Sequence, residues 1–429
     1  MRFCATVIAS VTLLLVSGCG GSDAPPADGT TETVQPPPTA SIGTPKPDVS
    51  SQPATQTAAM NPANAGDGVM LDVSPDQSAT EKDSPEWVLE EIALVRAAPI
   101  SEDPSVVGQQ RRERNARIIE LATKLIAETH EDPKQEKFFN SAVRELLQTR
   151  LEMALGGQPD DIDALYADVR DLDERNHISA AAEEAAFTLV RFAHANAQRF
   201  AATEPQWFEE LSRQSRLYAD GYPKNGERAA PILFAAARSC EINAPKVKDP
   251  AMQKSLRNEA KLCYTALKDQ FPGQPQGQRA VAILRRLRLV GQPLEQLSGP
   301  TLDGKFARIE QLRGRTKATV IVFWASDNEE FEQKSDLLVS TVRKHQGVYL
   351  LGVNMDEDEL DVKAFLAKHP LPGKQIFFTD ADKKRWDNPI VRYWGIVEVP
   401  TIWVLDKDGR VLSTEVTIDA LDALLTRSL

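Results

Sequence analysis

The sequence feature that most constrains the fold is an apolar strand that runs directly into the start of a helix. Residues 318–324 are apolar apart from Thr319 and rich in Val and Ile. Such a run is typical of a strand covered on both faces of an α/β sheet. Ser326, Asp327 and Asn328 follow as candidate capping residues, and three glutamates then occupy the first helical turn, where the helix dipole favours them. The sequence therefore predicts a buried strand, a short turn and a helix, with any chemistry at the turn.

The segments on either side of this turn resemble the thioredoxin-fold family in its TlpA-like, envelope-anchored (redoxin) form. Residues 299–314 look like the family's first hairpin and the loop before its first central strand. Residues 399–411 resemble its cis-proline strand and closing hairpin, because a Val-Pro step, an apolar strand and an Asp-Gly turn follow one another. The resemblance implies an α/β thioredoxin-like fold with a central mixed sheet over residues 291–429.

The turn departs from the family at the positions that carry its chemistry. The family would have Trp-Cys-x-x-Cys here, with both sulfurs at a helix N-terminus that lowers the pKa of the first thiol. In this chain the two cysteine positions fall on Asn328 and Phe331. The acidic residue that relatives often carry three positions after the second cysteine falls on Lys334. We therefore expect that thiol chemistry at this turn is lost and that no catalytic residue remains there.

The resemblance also implies a groove between the turn and the cis-proline, in which the family binds extended polypeptide through backbone hydrogen bonds. Six residues would line it: Trp324, Asp327, Asn328, Val399, Pro400 and Thr401. One hypothesis is a redox-inactive module that binds or scaffolds a protein or extended peptide. The alternative is a thiol-disulfide oxidoreductase acting in envelope redox homeostasis, with Cys240 or Cys263 as its thiol. A third interpretation is a stable plug against which the rest of the chain docks. Whether the chain is an enzyme stays open at this stage.

The charge pattern excludes nucleic acid as a partner. The formal net charge is −12, and no basic stripe compensates for it. Arg111, Arg112, Arg114 and Arg117 form the densest basic cluster, but glutamates are interspersed among them. We interpret this cluster as the solvated face of a helix.

No metal or cofactor site is predicted. The five histidines, at positions 130, 177, 194, 345 and 369, form no pair with the spacing of metal ligands. The acidic run at residues 356–359 lacks the spacing and the glycine of a calcium-binding loop. It is interpreted as the acidic N-terminus of the helix that follows.

The N-terminus predicts a lipoprotein. Residues 1–18 contain one charge, Arg2, followed by an apolar run too short to span a bilayer, which is typical of a signal peptide. Residues 16–19, Val-Ser-Gly-Cys, match the lipobox of bacterial lipoproteins. That resemblance implies lipid attachment at Cys19 and a chain held at the extracytoplasmic side of a membrane, in the periplasm or at the cell surface.

Residues 19–83 are predicted to be a disordered tether. This Pro-, Thr- and Ala-rich stretch contains no Phe, Trp or Tyr, so it cannot build a core. Scaling for a flexible coil gives it a reach of roughly 45 Å.

Residues 84–290 are predicted to be an all-α domain of helical hairpins. Ser84-Pro85 is a capping residue followed by proline at the first helical position. The apolar residues beyond it repeat with a helical period, and eight or nine helices are expected. Ala260, Tyr264, Leu267 and Pro272 resemble the second helix of a tetratricopeptide repeat, but the first-helix signature is absent, so an array of such repeats and an irregular helical domain both stay open.

Cys240 and Cys263 are the only cysteines after Cys19. An oxidising envelope permits a disulfide between them. In a simple helical hairpin closed at Pro250, however, the two would lie about 15 Å apart along the helix axis, beyond disulfide reach. We therefore expect two buried, separate thiols.

Overall fold

The computed structural model describes residues 81–429. The signal peptide predicted at residues 1–18, the lipid site at Cys19 and nearly all of the tether predicted at 19–83 lie outside the described residues. The described residues belong to one compact unit. Among them, no helix is both long enough and apolar enough to cross a membrane.

The N-terminal half of the described chain is helical, as predicted. Each helix contacts the next one along the chain. Ser84 caps the first helix, because its hydroxyl accepts a hydrogen bond from the Trp87 N–H at 3.2 Å, and Pro85 takes the first helical position. Within residues 81–290 the nine α-helices are α1 (Pro85–Ala97), α2 (Val107–Thr129), α3 (Glu136–Ala154), α4 (Pro159–Asn176), α5 (Ala180–Phe200), α6 (Gln206–Gly221), α7 (Gly226–Asn243), α8 (Pro250–Gln270) and α9 (Pro275–Arg286). Their assignment to tetratricopeptide repeats stays a prediction, as does the domain boundary at residue 290.

The C-terminal part is an α/β fold with a mixed central sheet, as expected. Its elements are β1 (Ser298–Pro300), β2 (Phe306–Arg308), β3 (Ala318–Trp324), α10 (Glu329–Lys344), β4 (Val348–Asn354), α11 (Glu359–Lys368), β5 (Lys374–Ile376), α12 (Pro389–Trp394), β6 (Thr401–Asp406), β7 (Val411–Val416) and α13 (Ile418–Ser428). The five-stranded sheet has the order β5-β4-β3-β6-β7, and β1 pairs with β2 in a separate hairpin. The strand β3 is parallel to β4 and antiparallel to β6.

All seven residues of β3 are buried, because both faces of the sheet are covered. Val320, Val322 and Trp324 pack under α10 and α13. Ile321 and Phe323 face the opposite core, which α12 covers. The continuous apolar run in the sequence therefore reflects a strand at the centre of two cores.

The helical part packs against the segment just before β6. Gly395 ends α12 with a φ of +62°, and a side chain there would meet the α9 backbone, since a Cβ would lie 2.6 Å from the Ile283 nitrogen. Val397 packs against the core of the helical part, and Arg238 on α7 pairs with Glu398 at 3.0 Å. These contacts hold α7 and α9 on the chain segment that leads into β6.

Arg238, which pairs with Glu398, also belongs to a buried cluster of charged side chains centred on Glu241. The Glu241 carboxylate accepts hydrogen bonds from Arg286, from Arg238 at 2.8 Å and from the Tyr264 hydroxyl at 2.6 Å. Only 6% of the Glu241 side chain is exposed. Burial alone would raise the pKa of Glu241, but the two guanidinium groups outweigh it and lower the pKa to about 2. Glu241 is therefore charged at neutral pH and neutralises two arginines.

Replacing Glu241 by Ala should destabilise the fold by about 3–5 kcal/mol, because it leaves the buried Arg286 without a carboxylate and Arg238 with only the exposed Glu398. The measurement is urea unfolding followed by circular dichroism. Glu128→Ala is the control, since Glu128 forms only an exposed pair with Lys124 and should cost about 1 kcal/mol or less. Because the pKa of Glu241 is lowered on folding, its contribution should be complete above about pH 4.5 and be lost as the pH falls toward 2. Equal costs for the two variants would contradict the role of the cluster.

Candidate functional site

Asn328 lies where the strand-to-helix turn meets the loop before β6. It is the N-cap of α10, since its Oδ1 accepts a hydrogen bond from the Phe331 N–H at 2.8 Å. Its Nδ2 donates to the Val399 carbonyl at 3.0 Å. The Val399–Pro400 peptide bond is cis. The side chain at the first cysteine position therefore joins the helix start to the proline loop.

Phe331, at the second cysteine position, is a core residue. It is fully buried and its ring stacks on Phe365 with ring centroids 5.7 Å apart. Trp324 packs against both rings, at 5.2 Å from Phe331 and 5.0 Å from Phe365. The position that would hold a reactive sulfur instead anchors α10 to the sheet.

The structure corrects the prediction that Trp324 lines a groove. Trp324 is fully buried, and its indole N–H donates to Gln375 Oε1 at 3.1 Å beneath Gly352. The apolar run already predicted that Trp324 is buried, but only the fold shows that Phe365 and Gln375 enclose its indole from other elements.

The other predicted groove residues lie at or near the surface. Asp327 is exposed and pairs with Arg385 at 3.3 Å. Asn328, Val399, Pro400 and Thr401 are half-buried. The turn and the proline loop that the sequence predicted to face each other are therefore brought together, with Asn328 bridging them.

Lys334, at the position of the family's acidic residue, has a structural contact. Its amino group pairs with Asp419 on α13 at 2.7 Å and with Glu330 at 3.2 Å. It therefore ties α10 to α13 and leaves no carboxyl group at that position.

Asp356 is a site residue that the sequence analysis missed. It follows the end of β4 and accepts hydrogen bonds from the Ser326 N–H at 2.8 Å and from Asn354 at 2.7 Å. Burial raises its pKa more than these hydrogen bonds lower it. Its position just after β4 could have revealed it in the sequence. The carboxyl ends of the parallel strands β3 and β4 lie at the same edge of the sheet, so a residue after β4 lies near the turn after β3. The rest of the run behaves as predicted, since Asp358 caps α11 and Glu359 begins it.

No group of three or more His, Cys, Asp and Glu side chains within residues 81–429 has the arrangement of a metal site. The described residues therefore give no reason to place a metal ion at the turn.

Residues 315–411 match the family model described as Thioredoxin-like. This part of the chain is a thioredoxin-like domain. The match starts just before β3 and ends at the start of β7, so it contains both the turn and the proline loop.

Relatives of the thioredoxin-like domain are thiol-disulfide oxidoreductases. The thiol-disulfide oxidoreductase ResA of Bacillus thuringiensis subsp. konkukian is 26% identical over 113 residues, and the same values hold for ResA of Bacillus cereus. These matches cover 26% of this chain and span only 60% of the length of those relatives.

Solved structures with similarity to the domain cover about a third of the chain. The thioredoxin domain of a thiol-disulfide oxidoreductase from Bacteroides vulgatus is 20% identical and covers 32% of this chain and 96% of its own, with a TM-score of 0.29. A secreted disulfide oxidoreductase of Mycobacterium tuberculosis is 19% identical and covers 31% of this chain and 96% of its own, with a TM-score of 0.26.

The two cysteines outside the thioredoxin-like domain are separate buried thiols, as predicted. Both are free and fully buried. The Cys240 thiol lies 3.4 Å from the Phe208 carbonyl, and the Cys263 thiol lies 3.0 Å from the Ser212 hydroxyl. Phe208 and Ser212 are one turn, or about 6 Å, apart on α6. Because each thiol lies next to one of them, the two thiols are closer together than the separation of about 15 Å that the sequence predicted.

Burial raises the pKa of both thiols. For Cys263 the raised pKa persists although Ser212 and Arg216 favour the thiolate. Both thiols pack in the core of the helical part. Neither forms a hydrogen bond with the turn or the proline loop in the described part of the chain.

Replacing Asn328 by Ala should destabilise the thioredoxin-like domain by about 2 kcal/mol, because both the helix cap and the link to Val399 are lost. Asn328→Ser is the matched control, since a serine hydroxyl still caps the helix but is too short to reach Val399. Its expected cost is about 1 kcal/mol. Urea unfolding measures both. A serine variant as stable as the wild type would mean that the bond to Val399 contributes nothing.

Proposed function

We propose that the thioredoxin-like domain is a redox-inactive module that binds or scaffolds a protein or an extended peptide. The observation that carries this proposal is Asn328. Its side chain stands at the first cysteine position and makes two hydrogen bonds, one with the Phe331 N–H and one with the Val399 carbonyl. The buried ring of Phe331 at the second position supports it, because a core aromatic residue cannot exchange disulfides. What remains at the turn can hold a backbone but cannot transfer electrons.

The proline loop offers a backbone donor for such a partner. The Val399 carbonyl already accepts a hydrogen bond from Asn328. The Val399 N–H forms no hydrogen bond within the described residues. An extended peptide that pairs with an open backbone segment gains affinity from main-chain hydrogen bonds. Asp327, which is exposed beside Asn328, would lie at the edge of the bound peptide.

The alternative proposal is a thiol-disulfide oxidoreductase, which the names of the relatives favour. It requires Cys240 or Cys263 as the nucleophile. Full burial and a raised pKa oppose this role, because the thiolate is the reactive form and a substrate disulfide must reach it.

A structural role is a further proposal, supported by the contacts of α7 and α9 with the segment before β6. Gly395, Val397 and Glu398 are all engaged by the helical part. The thioredoxin-like domain would then stabilise the helical part. In that case Arg238 of α7, which pairs with Glu398, would narrow the groove next to Val399.

We further propose that the chain acts on the extracytoplasmic side of a membrane, held there by lipid at Cys19. The lipobox at residues 16–19 supports both the anchor and the compartment, because lipid attachment at such a site holds a chain on that side of a membrane. Metabolic labelling with a radioactive fatty acid, compared between the wild type and Cys19→Ser, tests the anchor.

Insulin disulfide reduction separates the redox proposals. The wild type should give no turnover, because the two cysteines in the described part of the chain, Cys240 and Cys263, are fully buried. Asn328→Cys/Phe331→Cys, with its fold checked by circular dichroism, restores two cysteines at the turn and should gain activity. Turnover by the wild type that disappears in Cys240→Ser/Cys263→Ser would overturn the redox-inactive proposal.

Binding of an unfolded polypeptide tests the groove. The probe is reduced, carboxymethylated α-lactalbumin, measured by fluorescence anisotropy. Asp327→Trp should weaken binding at least about fivefold, or about 1 kcal/mol, by placing a bulky side chain at the edge of the groove. The control is Asp336→Trp, at an exposed position within α10, which should leave the affinity unchanged. An equal effect of both variants, or no binding by the wild type, would contradict a peptide-binding groove.

A further inference from the structure

A cavity opens in the helical part, away from the thioredoxin-like domain. It lies between the end of α5, the start of α6 and the loop from α7 to α8, and its volume is about 780 Å³. Small-molecule sites in proteins have volumes of roughly 300–1,000 Å³, so the cavity is large enough for an organic ligand. No residue of the turn or of the proline loop lines this cavity.

One polar group in the cavity wall lacks a partner. His194 on α5 lines the cavity, and its buried Nε2 forms no hydrogen bond in the described part of the chain. A buried polar atom without a partner destabilises the fold. Burial also lowers the pKa of His194, so the ring is neutral at pH 7 and keeps one N–H to donate. Because Nε2 has no accessible surface where it lies, the imidazole ring must turn toward the cavity to meet an oxygen atom bound there.

The rim is positively charged although the whole chain is acidic. Lys248 forms no ion pair within residues 81–429, and Lys246 reaches only the Asn243 side-chain oxygen, at 3.4 Å. The one acidic residue at the rim, Asp249, is engaged as the cap of α8, where it accepts a hydrogen bond from the Ala251 N–H at 3.0 Å. Two ammonium groups are therefore available to an anion at the mouth of the cavity.

The wall is mainly apolar. Ala197, Pro205, Phe208 and Leu211 line it. A ligand with hydrocarbon groups would bury them against this wall, which the hydrophobic effect favours.

We propose that this cavity binds a small amphipathic organic anion, with its acid group at Lys246 and Lys248 and its apolar body against Phe208 and Leu211. The neutral His194, once its ring turns toward the cavity, donates to an oxygen of the ligand. This site is independent of the groove in the thioredoxin-like domain, so its test neither depends on nor decides the proposed function.

The test uses the full-length chain and the dye 8-anilinonaphthalene-1-sulfonate, which has an aromatic body and one negative charge. Dye fluorescence should saturate with a stoichiometry of one. Decanoate, used below its micellar concentration, should displace the dye, whereas the uncharged decanol should do so at least about threefold less well. Lys246→Gln/Lys248→Gln should weaken decanoate binding about threefold to tenfold, since each exposed ion pair contributes about 0.2–1 kcal/mol.

Two further variants locate the site. Ala202 is exposed at the cavity mouth, so Ala202→Trp should block the cavity and abolish saturable dye binding without disturbing the core. Lys261→Gln removes an exposed lysine of α8 outside the cavity and should change nothing. The proposal is overturned if Ala202→Trp, confirmed as folded by circular dichroism, binds the dye like the wild type. It is equally overturned if decanol competes as well as decanoate, or if Lys261→Gln has the same effect as the double lysine variant.

Discussion

The pairing of β3 with β4 on one side and β6 on the other is the constraint on which the candidate site depends. Because β3 is parallel to β4, the chain leaves both strands at the same edge of the sheet, and Asp356 meets the Ser326 N–H there. Because β6 is antiparallel to β3, the loop that enters β6 reaches that edge as well and brings the Val399 carbonyl to Asn328. Three distant segments therefore converge on one turn, and burial of β3 on both faces fixes their register.

The chemistry at this turn differs from that of a thiol site in a consistent way. The carboxamide of Asn328 caps a helix and holds a loop, Phe331 fills the core, and Lys334 forms an ion pair between two helices. Each of the three positions contributes to stability instead of reactivity. The remaining thiols lie in the helical core, where burial raises their pKa. A fold that keeps its geometry while its reactive groups become structural is suited to binding, which is the function we propose.

The helical part and the thioredoxin-like domain are coupled through charge. Glu241 neutralises Arg286 and Arg238, and Arg238 also pairs with Glu398, two residues before Pro400. Together with the packing of Gly395 and Val397, this pair joins α7 and α9 to the segment before the proline loop. The cavity between α5, α6 and the loop after α7 lies at the C-terminal end of α7. Ser239 and Asn243 of α7 line the cavity, and the neighbouring Arg238 makes the contact with Glu398.

The sequence by itself determined the local elements. The apolar run of β3, a helix cap within residues 326–328, the start of α1 at Pro85 and the absence of both cysteines at the turn are properties of adjacent residues, and short-range hydrogen bonding and hydrophobic period are enough to predict them. Tertiary structure alone decided the contacts between distant segments. Asn328 and Val399 are 71 residues apart, and Arg238 and Glu398 are 160 residues apart. Trp324 was assigned to the groove although the apolar run predicted a buried strand, and the residues that enclose it, Phe365 and Gln375, are also distant in sequence. Local patterns carry no information about which side chains the sheet register and helix packing will bring together.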